Sequence, residues 1–229
     1  MGGPAPAPQN SAVPAIRSPH KRIITAMLAK IMGLFLLGLI RLLTGAQARW
    51  QGVPPKAEQR IYFANHQSHA DLVLMWAALP EELRSITRPI AAKDYWTKTP
   101  FKKWITTAVF NAIYVDRAKT GDQDPLEPLI EALTNGDSII LFPEGTRGNQ
   151  EEPQKFKAGL YNLALKFPNV VLVPAWINNV QRVMPKGEVV PVPILCSVTF
   201  GTPIALGPDE DRGEFLTRAR QAVLDLRES

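Results

Sequence analysis

One histidine and one aspartate are spaced so that they could act together as a catalytic pair. His66 and Asp71 are five positions apart in the stretch Asn-His-Gln-Ser-His-Ala-Asp. Residues 60–64, which are apolar after Arg60, predict a short buried strand, and residues 72–79 predict a helix, so His66 should lie on the loop between them. Residues five apart do not share a face of one helix. The spacing works if His66 precedes the helix and Asp71 lies in its first turn, where the carboxylate could orient the imidazole as a general base.

Two simpler interpretations of this stretch stay open. Ser68 and Asp71 also fit a capping pattern, in which their oxygens accept hydrogen bonds from backbone N–H groups at the helix start. Capping and catalysis could coexist. His66, His69 and Asp71 could instead bind a metal ion, but the chain has only one further histidine and one cysteine. We therefore expect no metal site.

A second polar cluster follows a later apolar segment. Residues 138–142 read Ser-Ile-Ile-Leu-Phe, which predicts a strand buried on both faces, and Pro143 would end its pairing. The next four residues supply an anion, a permissive backbone position, a hydroxyl and a planar cation: Glu144, Gly145, Thr146 and Arg147. Taken alone, this segment could equally be a solvated turn in which Glu144 and Arg147 pair at the surface.

Arg117 follows a third apolar segment, at 112–115. By itself the Asp116–Arg117 pair is typical of a solvated turn. In open parallel α/β sheets, however, ligands bind at the carboxyl ends of the strands. We therefore expect His66, Arg117 and the segment 144–147 to converge on one crevice.

Beyond residue 50, strand-like and helix-like segments alternate along the chain. This alternation predicts an α/β fold with a mostly parallel central sheet flanked by helices. The predicted strands are 61–64, 89–92, 112–115, 138–142, 170–174 and 194–200. The predicted helices are 71–79, 101–110, 126–135, 157–167 and 211–227.

Composition narrows the class of protein. The 229 residues are 45% hydrophobic, which is enough for one domain with a full core. The formal charge of +5 suits an anionic membrane, a phosphorylated substrate or nucleic acid. The basic residues are dispersed and form no aromatic platform, so we expect no nucleic acid partner. A single cysteine excludes a disulfide within the chain.

The first 48 residues differ from the rest. Residues 1–19 contain five prolines and predict a disordered tail. Residues 20–48 predict a membrane-associated helical anchor, and residues 49–229 the main domain. The apolar run at 23–43 is interrupted by two basic residues, Lys30 and Arg41.

Several geometries of the anchor remain possible. Its uninterrupted apolar part, 31–40, is shorter than the roughly 20 residues of a spanning helix. We expect either a helix lying in the membrane interface or a re-entrant pair of short helices broken near Gly33 or Gly38. A span with snorkelling ends and a signal peptide are the alternatives.

With these motifs identified, the sequence resembles the 1-acyl-glycerol-3-phosphate acyltransferases, the PlsC-type glycerolipid and lysophospholipid acyltransferase family. The first family motif, His-x4-Asp, corresponds to residues 66–71, and the third, Phe-Pro-Glu-Gly-Thr-Arg, to residues 142–147. The weaker second and fourth motifs resemble residues 113–117 and 171–175. The resemblance covers about residues 60 to 176, and the combination of the first and third motifs is its specific part.

The resemblance implies a membrane-associated O-acyltransferase. Its acceptor would be a lysophospholipid, by default 1-acyl-glycerol-3-phosphate, and its donor an acyl thioester of coenzyme A or acyl carrier protein. His66 would remove the proton from the acceptor hydroxyl, Asp71 would orient His66, and the hydroxyl would attack the thioester without an acyl-enzyme. No cofactor beyond the thioester cosubstrate and no metal is implied. In this view Cys196 is a packing residue rather than a nucleophile.

The resemblance also assigns the remaining site residues and the partners. Arg117 and Arg147 would hold the acceptor phosphate, with Lys157 as a further candidate. The substrate site would be completed by Glu144, Gly145 and Thr146. Because thioester donors are cytosolic, attachment is expected at the cytoplasmic face of a membrane, the inner membrane in a bacterium. The alternatives are a transacylase or hydrolase, another lysophospholipid or aminolipid acceptor, and a non-catalytic lipid-binding protein.

Overall fold

A seven-stranded sheet forms the centre of the structure, a computed structural model that describes residues 19–44, 47–68, 70–116, 124–148, 152–178 and 196–227. The spatial order of the strands is β1-β7-β6-β2-β5-β3-β4, and only the β6–β7 pair is antiparallel. The strands are β1 Gln47–Trp50, β2 Arg60–Ala64, β3 Thr87–Ala92, β4 Ile113–Val115, β5 Ser138–Leu141, β6 Val171–Asn178 and β7 Ser197–Phe200. The predicted mostly parallel α/β fold is confirmed.

Helices cover both faces of this sheet. They are α1 Pro19–Thr44, α2 Asp71–Ala78, α3 Glu81–Ser85, α4 Lys93–Trp96, α5 Pro100–Trp104, α6 Glu127–Thr134, α7 Gly159–Lys166 and α8 Arg212–Leu224. A π-helical turn, Ile105–Val109, continues α5. One face carries α1, α2 and this turn, and the other carries α6, α7 and α8.

The central strand β2 shows why both faces must be covered. Its residues alternate, with Ile61 and Phe63 in the core beneath α6 to α8 and Tyr62 and Ala64 in the core beneath α1 and α2. All five residues of β2 are buried. A strand that is apolar on both sides can only be placed inside a sheet with helices on each face.

Most predicted elements are present, with some differences in extent. All six predicted strands exist, but β6 continues past its predicted end at Pro174 to Asn178. The antiparallel pairing with β7 begins at Ala175, so the missing N–H of Pro174 does not interrupt it. The predicted helix 101–110 is α5 followed by the π-helical turn. Three short elements were not predicted: β1, α3 and α4.

The N-terminal apolar segment forms one continuous helix, α1. It runs through Gly33 and Gly38 without a break, so the predicted alternative of two short helices is wrong. Residues 47 and 48 of the predicted anchor belong to β1 and pair with β7. The predicted tail, 1–19, lies outside the described residues except for Pro19, where α1 begins.

The two sides of α1 have different surroundings. The less exposed residues recur every three or four positions and face the protein: Ala29, Met32, Gly33, Leu36, Leu37 and Ile40. The opposite side exposes nine large apolar side chains, among them Leu34, Phe35 and Leu39. By length and composition, Ile23–Leu42 could cross a membrane. An apolar surface of this extent is unusual for a monomeric soluble protein.

Candidate active site

Asn65 fixes the backbone that leads from β2 to His66. Its side-chain amide donates to the backbone oxygen of Ile177 (3.1 Å), and its side-chain oxygen accepts from the Ile177 N–H (2.8 Å). These two bonds continue the pairing of β2 with β6 beyond the last residue of β2. Sequence reasoning gave Asn65 no role. The available signal was an amide, which can both donate and accept, directly after a buried strand.

His66 and Asp71 are in hydrogen-bond contact. His66 Nδ1 lies 2.9 Å from Asp71 Oδ2, and both side chains are almost completely buried. Asp71 is the first residue of α2. The predicted geometry, with His66 ahead of the helix and Asp71 in its first turn, is therefore confirmed. An imidazole that donates from Nδ1 to a carboxylate has its lone pair on Nε2, which is the arrangement of an oriented general base.

The same carboxylate oxygen also closes the loop. Asp71 Oδ2 accepts hydrogen bonds from the backbone N–H groups of Gln67 (2.6 Å) and Ser68 (2.8 Å). Both groups precede α2, so Asp71 does not cap the helix in which it lies. Ser68 does not cap α2 either, because its hydroxyl accepts from the Ala70 N–H (3.2 Å), which also precedes the helix. The metal alternative required His69, which lies outside the described residues.

The His66 ring stacks on Phe142. The ring centroids are 4.3 Å apart and the planes are inclined by 17°. Phe142 is the first residue after β5, and the parallel pairing of Phe63 with Leu141 brings the ends of β2 and β5 side by side. The stacked ring restricts rotation of the imidazole and keeps water away from one of its faces. Sequence reasoning placed Phe142 in the strand and missed this contact.

Glu144 joins the loop after β5 to the loop that carries His66. Its side chain is buried, with Glu144 only 2% exposed. One oxygen accepts from the His66 N–H (2.7 Å) and the other from the Gln154 N–H (2.8 Å). In return, the Gly148 N–H donates to the backbone oxygen of His66 (2.8 Å). The alternative of a solvated turn with a surface Glu144–Arg147 pair is therefore wrong.

The ionisation of Glu144 is controlled by its burial. Loss of solvent contact raises the pKa of this carboxyl, while the N–H groups of Gln154 and His66 oppose the increase. Both carboxylate oxygens already accept hydrogen bonds from the backbone. Through these hydrogen bonds, Glu144 holds the backbone after β5 against the His66 loop.

Two cationic side chains lie on or beside this loop. Gly145 has a φ of +70°, and a Cβ added there would lie 2.6 Å from Lys157 Nζ, so the amino group of Lys157 rests against the glycine. Thr146 and Arg147 are exposed. Within the part of the chain that the structure describes, the Arg147 guanidinium has no hydrogen-bond or ion-pair partner. The loop therefore presents positive charge next to the His66 loop.

The structure brings most of the predicted site residues together. The exception is Arg117, which lies outside the described residues. β4, which ends at Val115, is parallel to β2 and β5, so it ends at the same edge of the sheet. It lies two strands beyond β5, a distance of roughly 10 Å.

Cys196 has the surroundings expected of a packing residue. It lies just before β7 and is buried. Burial, with a smaller contribution from the negative charge of Asp71, raises the pKa of its thiol to about 11. The thiolate required for nucleophilic attack is thus strongly disfavoured near neutral pH.

Comparison with solved structures shows a similar fold. The crystal structure of the 1-acyl-sn-glycerophosphate (LPA) acyltransferase PlsC from Thermotoga maritima matches with a TM-score of 0.66. The match covers 93% of this chain and 83% of that protein, at 22% sequence identity. The likeness extends over nearly the whole chain and shows the fold.

Sequence comparisons give the family. A human 1-acyl-sn-glycerol-3-phosphate acyltransferase alpha is 31% identical over 165 residues, which are 69% of this chain and 55% of that protein. A Dictyostelium discoideum protein named taffazin is 30% identical over 145 residues, covering 58% of this chain and 49% of that protein. The chain thus spans about half the length of the curated relatives it matches. The acyltransferase family model matches residues 49–178, more than half of the chain, and the protein belongs to the acyltransferase family.

Proposed function

We propose that this protein is a membrane-associated acyltransferase that moves a fatty acyl group from a thioester to the free hydroxyl of a lysophospholipid. The default acceptor is 1-acyl-glycerol-3-phosphate, with phosphatidic acid as the product. The observation that carries the proposal is the buried His66–Asp71 pair at the carboxyl edge of the sheet, beside a loop with exposed positive charge. The names of the human and Thermotoga relatives support the choice of acceptor.

His66 is the base in this reaction. Its Nε2 takes the proton of the acceptor hydroxyl as the hydroxyl oxygen bonds to the carbonyl carbon of the thioester. The tetrahedral intermediate then expels the thiolate, which recovers the proton from the imidazolium to leave a free thiol. Asp71 holds Nδ1 and stabilises the transient imidazolium. Because the thioester is already activated, the protein needs mainly to align two substrates, and no acyl-enzyme forms.

The cations around the loop bind the acceptor phosphate. Arg147 suits this role because a guanidinium can donate two parallel hydrogen bonds to phosphate oxygens. Lys157 adds a second positive charge over Gly145. Arg117 would contribute a third from the end of β4. Glu144 contributes indirectly, since it holds the loop against His66.

The membrane supplies the acceptor. α1 attaches the protein through its exposed apolar side, and the attachment is at the cytoplasmic face, where thioester donors are available. A lysophospholipid would then reach His66 laterally while its acyl chain remains in the lipid.

An acceptor panel tests this proposal. Purified protein is incubated with a labelled long-chain acyl thioester of coenzyme A or of acyl carrier protein. Each reaction contains one acceptor: 1-acyl-glycerol-3-phosphate, glycerol-3-phosphate, lysophosphatidylcholine or lysocardiolipin. We expect labelled phosphatidic acid as the main product, with release of one thiol per acyl group transferred.

Other outcomes would contradict specific parts of the proposal. Preference for a lysolipid without a terminal phosphate would overturn the acceptor assignment. Thiol release without a lipid product would indicate a hydrolase. Transfer from a phospholipid in the absence of any thioester would indicate a transacylase.

A further inference from the structure

Apart from α1, the structure has a second exposed apolar site. Among the described residues, eleven large apolar side chains are exposed, and nine of them lie on α1. The other two are Phe101 in α5 and Leu165 in α7, each 61% exposed. They differ in their position relative to α1, and this position decides which of them could contact the same membrane as α1.

Phe101 lies on the side of the molecule that α1 covers. The π-helical turn that continues α5 packs directly against α1. Gly33 of α1 lies at this contact, where a Cβ would be 3.4 Å from Val109 Cγ1, an ordinary van der Waals distance. Ile105 and Val109 also pack against the same core as Leu36 and Ile40 of α1. Leu165, in contrast, is on α7, on the opposite face of the sheet.

α5 also lies near the edge of the sheet that carries the His66 loop. α4 begins immediately after β3, and β3 is parallel to β2 and β5, so α4 starts at the carboxyl edge of the sheet. Lys93 of α4 is 3.8 Å from Asp116, which follows the carboxyl end of β4. α5 begins four residues after the end of α4.

The surroundings of Phe101 are aromatic and basic. Its ring stacks with that of Trp104, with centroids 6.5 Å apart. Lys102 Nζ lies 4.0 Å above the ring of Tyr95, and Lys98 and Lys103 are exposed. Residues 98–109 contain no acidic side chain. An exposed aromatic ring flanked by lysines is typical of surfaces that insert into the interface of an anionic bilayer.

We propose that α5 is a second membrane contact, in which Phe101 inserts into the lipid interface and the lysines at 98, 102 and 103 face anionic headgroups. This inference rests on the membrane attachment in the proposed function and extends it. Attachment through the outer side of α1 alone gives one line of contact with the bilayer, about which the domain can still tilt. A second contact near the carboxyl edge fixes which edge of the sheet faces the bilayer and so directs the His66 loop toward the lipid acceptor.

Fluorescent labels at the two matched positions test the inference. Phe101→Cys and Leu165→Cys variants of the full chain are labelled with nitrobenzoxadiazole, whose emission reports a lipid environment. Cys196 can remain, because it is buried and burial raises its pKa to about 11. On vesicles of phosphatidylcholine and phosphatidylglycerol, we expect a blue shift at position 101 and quenching by nitroxide-bearing lipids. The label at position 165 should show neither.

Partitioning gives a second readout. Phe101→Ser should weaken association with the same vesicles by about tenfold, since it removes one aromatic side chain from the lipid interface. Leu165→Ser removes an equally exposed side chain and should have no such effect. Both changes are at the surface and should leave Tm unchanged.

The possible failures are distinguishable. If the protein binds vesicles but the label at 101 remains in water, only the second contact is wrong. If the label at 101 is shielded equally without vesicles, another copy of the chain covers α5 and the inference is overturned. If the protein does not bind vesicles at all, the membrane attachment in the proposed function fails together with this inference.

Discussion

At the scale of single residues, the candidate site is held by carboxylates that accept hydrogen bonds from the backbone. Asp71 Oδ2 accepts from Gln67, Ser68 and the His66 ring. Glu144 accepts from the His66 N–H and from Gln154. Two buried carboxyl groups thus fix the backbone and the ring of one histidine. In the proposed reaction, this geometry would place the base before the substrate arrives and reduce the reorganisation needed.

Arg147 should control affinity for the phosphorylated acceptor. Hydrogen bonds to a charged group typically contribute about 1.5–3 kcal/mol, so Arg147→Ala should raise the KM for 1-acyl-glycerol-3-phosphate by about 10- to 100-fold. The KM for the thioester should change little. Steady-state kinetics with each substrate varied in turn measure both values. Arg212→Ala, at an exposed arginine that begins α8, is the matched control, and equal effects on both substrates would exclude the phosphate role.

The buried Glu144 predicts a pH dependence of stability. Burial raises the pKa of Glu144 above its ordinary value of 4.5. At a pH between the ordinary pKa and the raised pKa, the folded chain therefore binds more protons than the unfolded chain. The contribution of this group is therefore fully present at low pH and is lost as pH rises through the raised pKa. Glutamine does not titrate. The Tm of the wild type relative to Glu144→Gln should be highest near pH 4.5 and should decline toward pH 7.

The opposite pH dependence of the Tm difference would contradict this prediction. Carboxyl groups remote from Glu144 titrate equally in both proteins and cancel in the difference between their Tm values, whereas Asp71 and His66 interact electrostatically with Glu144. A difference that stays constant from pH 4.5 to 7, or grows with pH, would show that burial does not dominate the ionisation of Glu144.

At the scale of elements, the loop after β5 depends on a backbone conformation that favours glycine. Gly145 has a φ of +70°, its N–H donates to the Phe142 oxygen (3.0 Å), and the Lys157 side chain lies across it. This conformation turns the chain sharply after β5. Glu144 can then point inward to His66, while Thr146 and Arg147 remain exposed at the surface.

Gly136 provides a matched control for Gly145. It also has a positive φ, +86°, but it lies before β5, and a Cβ there would meet no atom within 4 Å. Alanine at either position should cost roughly 1–2 kcal/mol of stability, because an L residue is strained in this conformation. Only Gly145→Ala should also reduce acyl transfer, since it displaces Lys157 and the loop. Thermal unfolding and initial rates of both variants test this, and equal loss of activity would remove the special role of Gly145.

The sequence was sufficient to predict the elements that carry a strong periodic pattern or a motif. The strands that end at Ala64 and Leu141 read as apolar runs followed by polar clusters, and the helix after Asp71 as an apolar run ending at a proline. β1 was not predicted, because its four residues, Gln-Ala-Arg-Trp, have no alternation that separates them from the end of the anchor. α3 and α4 are too short for a periodic signal.

Contacts between distant segments could not be predicted from spacing alone. The sequence indicated the His66–Asp71 pair because both residues lie in one motif. The stacking of Phe142 on His66 and the hydrogen bond that the His66 N–H donates to Glu144 join residues more than 70 positions apart. They depend on β2 and β5 being neighbours in the sheet. That adjacency follows from the order of all seven strands, which no local pattern records.

At the scale of the whole molecule, the two sides of α1 differ in what they contact. Leu37 is buried in the core, whereas Leu34, Phe35 and Leu39 are exposed. Lys30 and Arg41 are also exposed and lie eleven positions apart, on nearly the same side of the helix. The inner side joins the helix to the domain, and the outer side is available to lipid.

The two sides of α1 should respond differently to substitution. Replacing Leu34, Phe35 and Leu39 by serine should weaken association with vesicles strongly while Tm stays unchanged, because these side chains are exposed and are not part of the core. Leu37→Ala should instead destabilise the fold by about 2–5 kcal/mol, the usual cost of truncating a buried leucine. Vesicle sedimentation and thermal unfolding separate the two effects. Continued sedimentation of the triple variant would place the attachment elsewhere.

The most direct test of the central claim is the acyl-transfer rate of His66→Ala. The rate is measured from a long-chain acyl-CoA to 1-acyl-glycerol-3-phosphate, at equal concentrations of folded protein verified by Tm. Loss of the general base should reduce the rate by about 10²- to 10⁴-fold. A folded His66→Ala protein that transfers acyl groups at close to the wild-type rate would contradict the assignment of His66 as the base.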